Sequence, residues 1–221
     1  VKEADYISGA AILVRKTIWD KLGGFDKRYV PAYYEDTDLA FETREAGYKV
    51  CLQPASLVVH FEGKSHGTDL GSGIKKYQVV NKKNFLKKWS NVLKTKHYAG
   101  GKDLMWARER SQSGKVVAVL DYYLPEYDRH AGARHTWDYL KLLVEQGFSV
   151  KYFACVVEDE RQLLFAREME QMGIETFYPD RIFYEQNWSD WLRAHKGYYD
   201  AVIINRPHVA KMHIEACKES E

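Results

Sequence analysis

The sequence predicts an α/β fold made of two units, and three observations support this class. Val116–Leu120 is a continuous apolar run, typical of strands buried inside parallel sheets. From there to the end of the chain, strand-like and helix-like segments alternate, which predicts right-handed crossovers and a doubly wound sheet. Residues 97–114 have weak hydrophobic periodicity and contain paired glycines. We therefore predict a linker at 97–114, between a first unit at 1–96 and a second, incomplete unit at 115–221.

The composition is that of an ordinary globular protein. The 221 residues are 45% hydrophobic and 29% charged, which is enough to form a core in each of two domains. A net charge of +2 gives no basis for nucleic-acid binding, and no apolar run approaches the roughly 18 residues of a membrane span. The three cysteines lack metal-ligand spacing. We expect them to be free thiols in a reducing compartment, and therefore a cytoplasmic protein.

In the first unit, the hydrophobic pattern predicts short strands and helices in alternation. Strands are predicted over 6–15, 48–52 and 56–60, and helices over 16–22, 37–46 and 74–89. In the helix over 74–89 we expect Tyr77, Val80, Phe85 and Leu86 to be buried anchors. Its six lysines are expected to form a solvated face, and the alternative is a patch for an anionic partner.

The acidic stretch Glu35-Asp36-Thr37-Asp38 is the most distinctive part of this unit. It lies at the predicted N-terminal end of a helix that closes at Gly47, where peptide N–H groups and the helix dipole favour ionised carboxylates. Carboxylates placed there can take a proton from an alcohol or hold a divalent cation. The alternative is that Asp36 or Thr37 only caps the helix while the other acids are solvated.

In the second unit, the alternation continues with longer elements. Strands are predicted over Val116–Leu120, Ser149–Ala154, Thr176–Tyr178 and Ala201–Ile204, and helices over Thr136–Glu145, Arg161–Met172, Trp188–His195 and Val209–Cys217. The loop after the first of these strands contains Gly132 and ends near a helix start. Loops at the carboxyl ends of strands are where α/β sheets bind ligands.

The order and spacing of several motifs in the first unit are specific. The first 95 or so residues resemble the C-terminal half of the nucleotide-sugar-binding domain of family 2 glycosyltransferases, which adopt the GT-A fold, a Rossmann-like mixed sheet. The resemblance rests on Ser8-Gly9-Ala10-Ala11, Gly23-Gly24-Phe25-Asp26, Tyr34-Glu35-Asp36-Thr37-Asp38-Leu39, Arg44-Glu45-Ala46-Gly47-Tyr48, Pro54 and Val58-Val59-His60.

The resemblance implies an inverting sugar transfer from a nucleotide-sugar donor to a saccharide acceptor. Asp36 would be the general base on the acceptor hydroxyl, and Mn²⁺ or Mg²⁺ would balance the charge on the leaving diphosphate. By the same analogy, His60 would be a metal ligand, with His66 as the weaker substitute. The resemblance also implies that Trp19 and Asp26 border the acceptor. Glu35 and Asp38 would belong to the substrate-binding loop, which they would shape, and would cap the helix that follows it. Lys64 and Ser65 would contact a phosphate.

The sequence also departs from that family. The nucleotide-binding strand and the Asp-x-Asp metal motif of the family lie upstream of every motif present here. We therefore expect this chain to be part of a larger polypeptide and to show negligible transfer by itself.

The second unit resembles the N-terminal half of GT-B glycosyltransferases, a Rossmann-like parallel α/β unit. The matching features are the strand Val116–Leu120, Asp128-Arg129, Ala131-Gly132, Gly147-Phe148-Ser149-Val150 and the segment 200–207. Gly132, Arg134 and Arg206 would then lie nearest to a phosphate. The alternative is a Rossmann-like scaffold whose loop binds nothing here.

The two resemblances together predict a piece of a bacterial-type glycosyltransferase that builds a surface polysaccharide or glycan. Its partners would be a nucleotide-sugar and a saccharide, and peripheral membrane association would follow from a lipid-linked acceptor. The alternatives are a non-catalytic carbohydrate-binding module and a nucleotide-binding regulatory domain centred on Gly132. The oligomeric state is left open by the sequence.

Overall fold

The computed structural model describes residues 1–61, 73–98, 103–109, 114–179 and 187–220. The chain forms two compact units. One comprises Glu3–Leu52 with Ser56–Arg110, and the other comprises Ser111–Glu221 with Val1–Lys2 and Gln53–Ala55. In the part of the chain that is described, no helix is long and apolar enough to cross a bilayer.

The first unit is mainly helical. The two-residue strands β1 (Lys2–Glu3) and β2 (Cys51–Leu52) pair with each other. The helices of this unit are α1 (Lys16–Leu22), α2 (Glu35–Glu45), α3 (Lys76–Lys88), α4 (Ser90–Lys96) and α5 (Leu104–Glu109). Single 3₁₀ turns lie at Gly9–Ala11 and Lys27–Tyr29. The helix α2 closes as predicted, with Gly47 in a left-handed conformation (φ 84°) that has little steric cost for glycine.

An aromatic core joins α2, α3 and the 3₁₀ turn before α2. Its buried members are Tyr29, Phe41, Phe85 and Trp89. The Phe41 ring lies 5.0 Å from the Phe85 ring and 5.2 Å from the Trp89 ring, centroid to centroid. Ring pairs at these separations add about 0.5–1.5 kcal/mol each to the stability gained from burial. This core fixes α3 against the start of α2, where the acidic stretch lies.

Two strand predictions in this unit were wrong. Residues 6–15 form a 3₁₀ turn and extended chain, in which the Leu13 side chain is 99% exposed. Residues 56–60 are exposed chain without strand pairing, and the predicted strand over 48–52 is reduced to two residues. A strand needs a neighbour to satisfy its backbone groups. Within the described residues, no strand lies beside either segment.

The second unit is a parallel α/β sheet, which confirms the predicted fold class. Its strands are β3 (Val116–Asp121), β4 (Ser149–Ala154), β5 (Glu175–Phe177) and β6 (Ala201–Ile204), in the order β5-β4-β3-β6. Its helices are α6 (Ala131–Glu145), α7 (Gln162–Met172), α8 (Trp188–Ala194) and α9 (Pro207–Glu219). Because β4 and β6 lie on opposite sides of β3, the direction of the strand order reverses at β3.

Helices cover both faces of this sheet. One core packs α6 and α7 on Val117, Val119 and Tyr152, and the other packs α8 and α9 on Leu120 and Phe153. All six residues of β3 are buried, since the strand lies between two neighbours and two helical layers. The continuous apolar run in the sequence reflects this burial on both faces.

Candidate active site

The acidic stretch forms the first turn of α2. Tyr33 and Tyr34 precede it in left-handed conformations, with φ of 75° and 74°, and Tyr34 is the N-cap residue. Neither Asp36 nor Thr37 therefore occupies the N-cap position, and the capping alternative from the sequence was wrong. All three acids lie within the first turn, where the helix dipole stabilises negative charge.

Asp36 is half-buried and is held by neutral donors. Its Oδ2 accepts the Gly9 N–H at 2.7 Å, and its Oδ1 accepts the Thr37 N–H at 2.7 Å and the Thr37 hydroxyl at 3.2 Å. No lysine, arginine or histidine of the described residues forms an ion pair with it. The carboxylate is therefore fixed in place; Oδ1 already accepts two hydrogen bonds, and Oδ2 retains a lone pair for a further donor.

Gly9 approaches Asp36 closely. A Cβ atom at Gly9 would lie 3.2 Å from both Cβ and Oδ2 of Asp36, closer than ordinary van der Waals contact. The small-residue segment at 8–11 thus brings a backbone N–H onto the candidate base.

Glu35 precedes Asp36 and has an unsatisfied oxygen. Its Oε2 is buried and has no hydrogen-bond partner among the described residues. Burial raises the pKa of Glu35, and the neighbouring charge of Asp36 raises it further. The protonated form of Glu35 would offer one hydrogen-bond donor beside Asp36.

Asp38 is fully buried and fully bonded. Its Oδ1 accepts the Tyr29 hydroxyl at 2.9 Å and the Trp89 indole N–H at 2.7 Å. Its Oδ2 accepts a hydrogen bond from the Lys88 ammonium, with Nζ 2.7 Å away. This burial leaves no exposed atom with which a saccharide could make contact, so the geometry favours the predicted loop-shaping part of its role.

Lys88 joins three carboxylates. Its Nζ lies 2.7 Å from Asp38, 2.7 Å from Glu42 and 3.0 Å from Asp26, so the three ammonium protons face three carboxylate oxygens. Burial alone would lower the pKa of Lys88, but its hydrogen bonds to Asp38, Glu42 and Asp26 outweigh that effect and raise it. The pKa of Asp26 is lowered despite burial, by the Arg28 N–H and then by Lys88.

Among the described residues, no group of side chains is free to bind the predicted divalent cation. Among the described residues, the one group of three close metal-binding side chains is Asp26, Asp38 and Glu42, whose ligand atoms lie within 4.8 Å of one another. The Lys88 ammonium already contacts all three. His60 is exposed and belongs to no such group within the described ranges. Its role as a metal ligand therefore stays a prediction.

The other predicted positions of the first unit are only partly brought together. Asp26 accepts the Arg28 N–H at 2.9 Å and joins the Lys88 cluster. Trp19 packs edge-on against Phe25, with ring centroids 5.0 Å apart. The predicted phosphate contacts Lys64 and Ser65, together with His66, lie outside the described residues.

In the second unit, the buried Asp121 holds Arg206, one of the predicted phosphate-binding residues, in place. Asp121 ends β3, and its Oδ1 accepts the Arg206 Nε–H at 2.5 Å while its Oδ2 accepts from Asn205 at 2.9 Å. Gly132 is an exposed residue in the first turn of α6. Arg134, on the same helix, is exposed and lies 3.7 Å from Asp138. The assignment of Gly132, Arg134 and Arg206 to a phosphate stays a prediction.

Sequence reasoning missed two residues that build the site. Lys88 was expected to be solvated, and Asn81 was not considered. The buried residues of α3 are Asn81 and Phe85, with Trp89 following, whereas the expected anchors Val80 and Leu86 are about half exposed. A spacing of four residues, Asn81, Phe85 and Trp89, marks one helical face and could have identified it.

Comparison with curated proteins points to glycosyltransferases. The chain is 37% identical over 67 residues to the N-acetylglucosaminyl-diphospho-decaprenol L-rhamnosyltransferase of Mycobacterium tuberculosis, in strains CDC 1551 / Oshkosh and ATCC 25618 / H37Rv. The match covers 30% of this chain and 22% of the length of each relative, so the chain spans well under two thirds of them. No family profile and no solved structure matches the chain. The chain thus has a partial homologue among family 2 glycosyltransferases, and the GT-B resemblance of the second unit stays a prediction.

Proposed function

We propose that the first unit is the acceptor side of an inverting glycosyltransferase, with Asp36 as the general base. The observation that carries this proposal is the state of the Asp36 carboxylate. It is fixed by the Gly9 and Thr37 donors and half-buried, and no cation of the described residues neutralises it. Asp26 and Asp38 in the same unit are ion-paired with Lys88, which makes them poorer proton acceptors than Asp36.

In the proposed reaction, Asp36 takes the proton of an acceptor hydroxyl as its oxygen attacks the anomeric carbon of the donor. The bond from that carbon to the nucleotide diphosphate breaks, and the diphosphate leaves with the electron pair. Attack opposite the leaving group inverts the configuration of the anomeric carbon. Glu35, the residue before Asp36 in the first turn of α2, is proposed to belong to the acceptor-binding loop.

The partial homologue suggests the first substrates to test. Its name gives transfer of L-rhamnose to N-acetylglucosaminyl-diphospho-decaprenol. We propose nucleotide-activated L-rhamnose as donor and a polyprenyl-diphosphate-linked N-acetylglucosamine as acceptor. A lipid-linked acceptor would bring the protein to a membrane surface, and a divalent cation such as Mn²⁺ would assist departure of the diphosphate.

Asp36→Asn tests the proposal in the complete polypeptide that the gene encodes. The amide keeps the size of the carboxylate and cannot accept the proton, so we expect kcat to fall by about 10²–10⁴-fold. Exposed Asp20 on α1 gives a matched control, and Asp20→Asn should retain the parent kcat. Thermal unfolding of both variants near that of the parent would show that the fold is intact. Transfer by a folded Asp36→Asn protein at the parent rate would refute the role of Asp36.

A second candidate function concerns the second unit. Arg206 follows β6 and is fixed by Asp121 at the end of β3, where the strand order reverses. Ligands of open α/β sheets bind at such reversals. Titration with nucleotide-sugars, monitored by calorimetry, tests this candidate. Binding that Arg206→Gln weakens would favour it, and binding unaffected by Arg206→Gln would remove Arg206 from the site.

A further inference from the structure

Lys88 is the link between α3 and the turn that carries Asp36. Its ammonium contacts three carboxylates. Asp26 lies just before the 3₁₀ turn at Lys27–Tyr29, Asp38 lies in the first turn of α2, and Glu42 lies one helical turn further along α2. Three protons meet three acceptors, so no donor of the ammonium is left over. A tetrahedral cation with that match fixes the relative positions of the segments that bind it.

Asp38 transmits this constraint to the candidate base. It lies two residues after Asp36, in the same helical turn, and both of its oxygens are bonded. Because Asp38 cannot rotate without breaking bonds to Lys88, Trp89 and Tyr29, the backbone of the first turn is held from its buried side. The exposed side of the same turn presents Asp36 to the Gly9 N–H.

Charge explains why a cation is needed at this point. Asp26, Asp38 and Glu42 have ligand atoms within 4.8 Å of one another, and without Lys88 the fully buried Asp38 would face two like charges. A buried carboxylate with no cation is strongly destabilised. Removing the ammonium should therefore push Asp38 and its turn out of place before it unfolds the unit.

We propose that Lys88 is a positioning residue for catalysis, acting through Asp38 to hold the Asp36 carboxylate at its hydrogen bond with Gly9. This inference rests on the proposed role of Asp36 as the base. It adds to the proposed site a second residue, Lys88, which lies on α3 and not on α2. Lys88 occupies the space that a divalent cation would take in the cluster. Its ion pairs give Asp26, Asp38 and Glu42 a structural role, and Asp36 remains as the acid available for proton transfer.

The experiment compares Lys88→Gln, Lys88→Arg and the exposed neighbour Lys87→Gln in the complete polypeptide. The direct readout is the Gly9 amide, followed by its NMR chemical shift and its hydrogen exchange, because this amide donates to Asp36. In Lys88→Gln we expect the Gly9 resonance to move and its exchange to become at least about tenfold faster. Exchange in β3 and β4 of the other unit should be unchanged.

Transfer kinetics give the second readout. We expect Lys88→Gln to lower kcat by about tenfold or more while KM for the donor changes by less than about threefold, since a misplaced base slows the step after binding. Lys88→Arg, which keeps the positive charge, should recover part of both signals. Lys87→Gln should match the parent in both. An unchanged Gly9 amide in folded Lys88→Gln would overturn the proposal, as would an unchanged kcat alongside a slow Asp36→Asn variant.

A failure of the proposed function would look different. If Asp36→Asn transfers at the parent rate, the role of Asp36 as base is refuted while the Gly9 amide still reports whether Lys88 holds the turn. Should Lys88→Gln not fold, Glu42→Gln removes one of the three negative charges from a partly exposed position. A smaller shift of the Gly9 amide in the same direction would then support the proposal, and no shift would overturn it.

Discussion

Asn81→Ala should loosen the segment that leads into the acidic motif. Asn81 is 1% exposed on α3, and its side-chain amide donates to the carbonyls of Tyr29 at 2.9 Å, Ala32 at 2.8 Å and Tyr33 at 3.2 Å. Alanine would remove the donors, and the left-handed backbone of Tyr33 and Tyr34 would lose its restraint.

The magnitude follows from the number of hydrogen bonds. Two amide protons serve three carbonyls, which amounts to about two full hydrogen bonds, and each unsatisfied buried acceptor costs about 1–3 kcal/mol. Two such acceptors cost about 4 kcal/mol at the middle of this range, and relaxation of one of the two left-handed tyrosines returns about 1–2 kcal/mol of it. We therefore expect the free energy of opening of this segment to fall by about 2–3 kcal/mol.

Hydrogen exchange read by mass spectrometry measures this change separately in each unit. Amides in peptides covering 29–41 should exchange about 30- to 150-fold faster in Asn81→Ala, since every 1.4 kcal/mol corresponds to about a factor of ten. Peptides covering 149–172 serve as the internal reference. Asn84→Ala is the matched control, because the Asn84 amide donates to Asn81 at 3.2 Å and should cost only about 0.5–1.5 kcal/mol. Exchange over 29–41 within about threefold of the parent would refute this reasoning.

Two further changes test the site and the second core. Gly9→Ala places a methyl group 3.2 Å from the Asp36 carboxylate, so kcat should fall by about tenfold or more with little change in thermal stability; Gly114→Ala, which meets nothing within 4 Å, should keep the parent kcat, and an equal kcat for both would contradict the expected displacement. Burial lowers the pKa of His213, whose Nδ1 lies 2.8 Å from the Ser189 hydroxyl. The unfolded chain then binds more protons below about pH 6.5, so this stabilisation is complete above that pH and is lost as the pH falls. Urea unfolding at pH 5 and pH 7.5 should show the loss, and His213→Gln should reduce it; the same pH dependence in the variant would exclude His213 as its source.

The second unit could be predicted closely because its signals are local. Ser149–Ala154 and Ala201–Ile204 were predicted as strands with the bounds that the structure has, and Val116–Leu120 is one residue short of β3. Each is a short apolar run between helices whose own period of 3.6 residues is visible in the sequence. Burial on both faces removes the ambiguity that a half-exposed strand would carry.

The secondary structure of the first unit was harder to predict, because a strand-like sequence forms a strand only where a neighbouring strand can pair with it. The run over 6–15 has small and β-branched residues with strand propensity, but propensity describes the fit to a pleated surface that neighbouring strands provide. Among the described residues, no such neighbour is present, and the segment folds into a 3₁₀ turn at Gly9–Ala11. The helix α1 has the predicted bounds, since its hydrogen bonds are internal.

Lys88 could not be identified from its own surroundings in the sequence. It is one of six lysines in the predicted helix, and the others that flank it in α3, including Lys82, Lys83 and Lys87, are exposed as predicted. Its partners Asp38 and Glu42 lie 50 and 46 residues away in sequence. What separates Lys88 from its neighbours is that it adjoins Trp89 on the buried face, and only the packing of α3 on α2 shows which acids that face meets.

The acidic motif itself divides its two aspartates between structure and chemistry. Residues two apart on an α-helix are rotated by about 200°, so Asp36 and Asp38 cannot face the same side of α2. Whichever side packs on α3 receives Lys88, Trp89 and Tyr29 and becomes an anchor, and the opposite side keeps an ionised carboxylate near solvent. Spacing in the sequence thus implies one anchor and one reactive acid, while the position of α3 decides that the reactive one is Asp36. The same argument makes the spacing testable, since a residue inserted between them would rotate Asp38 away from Lys88 by about 100° and remove the anchor.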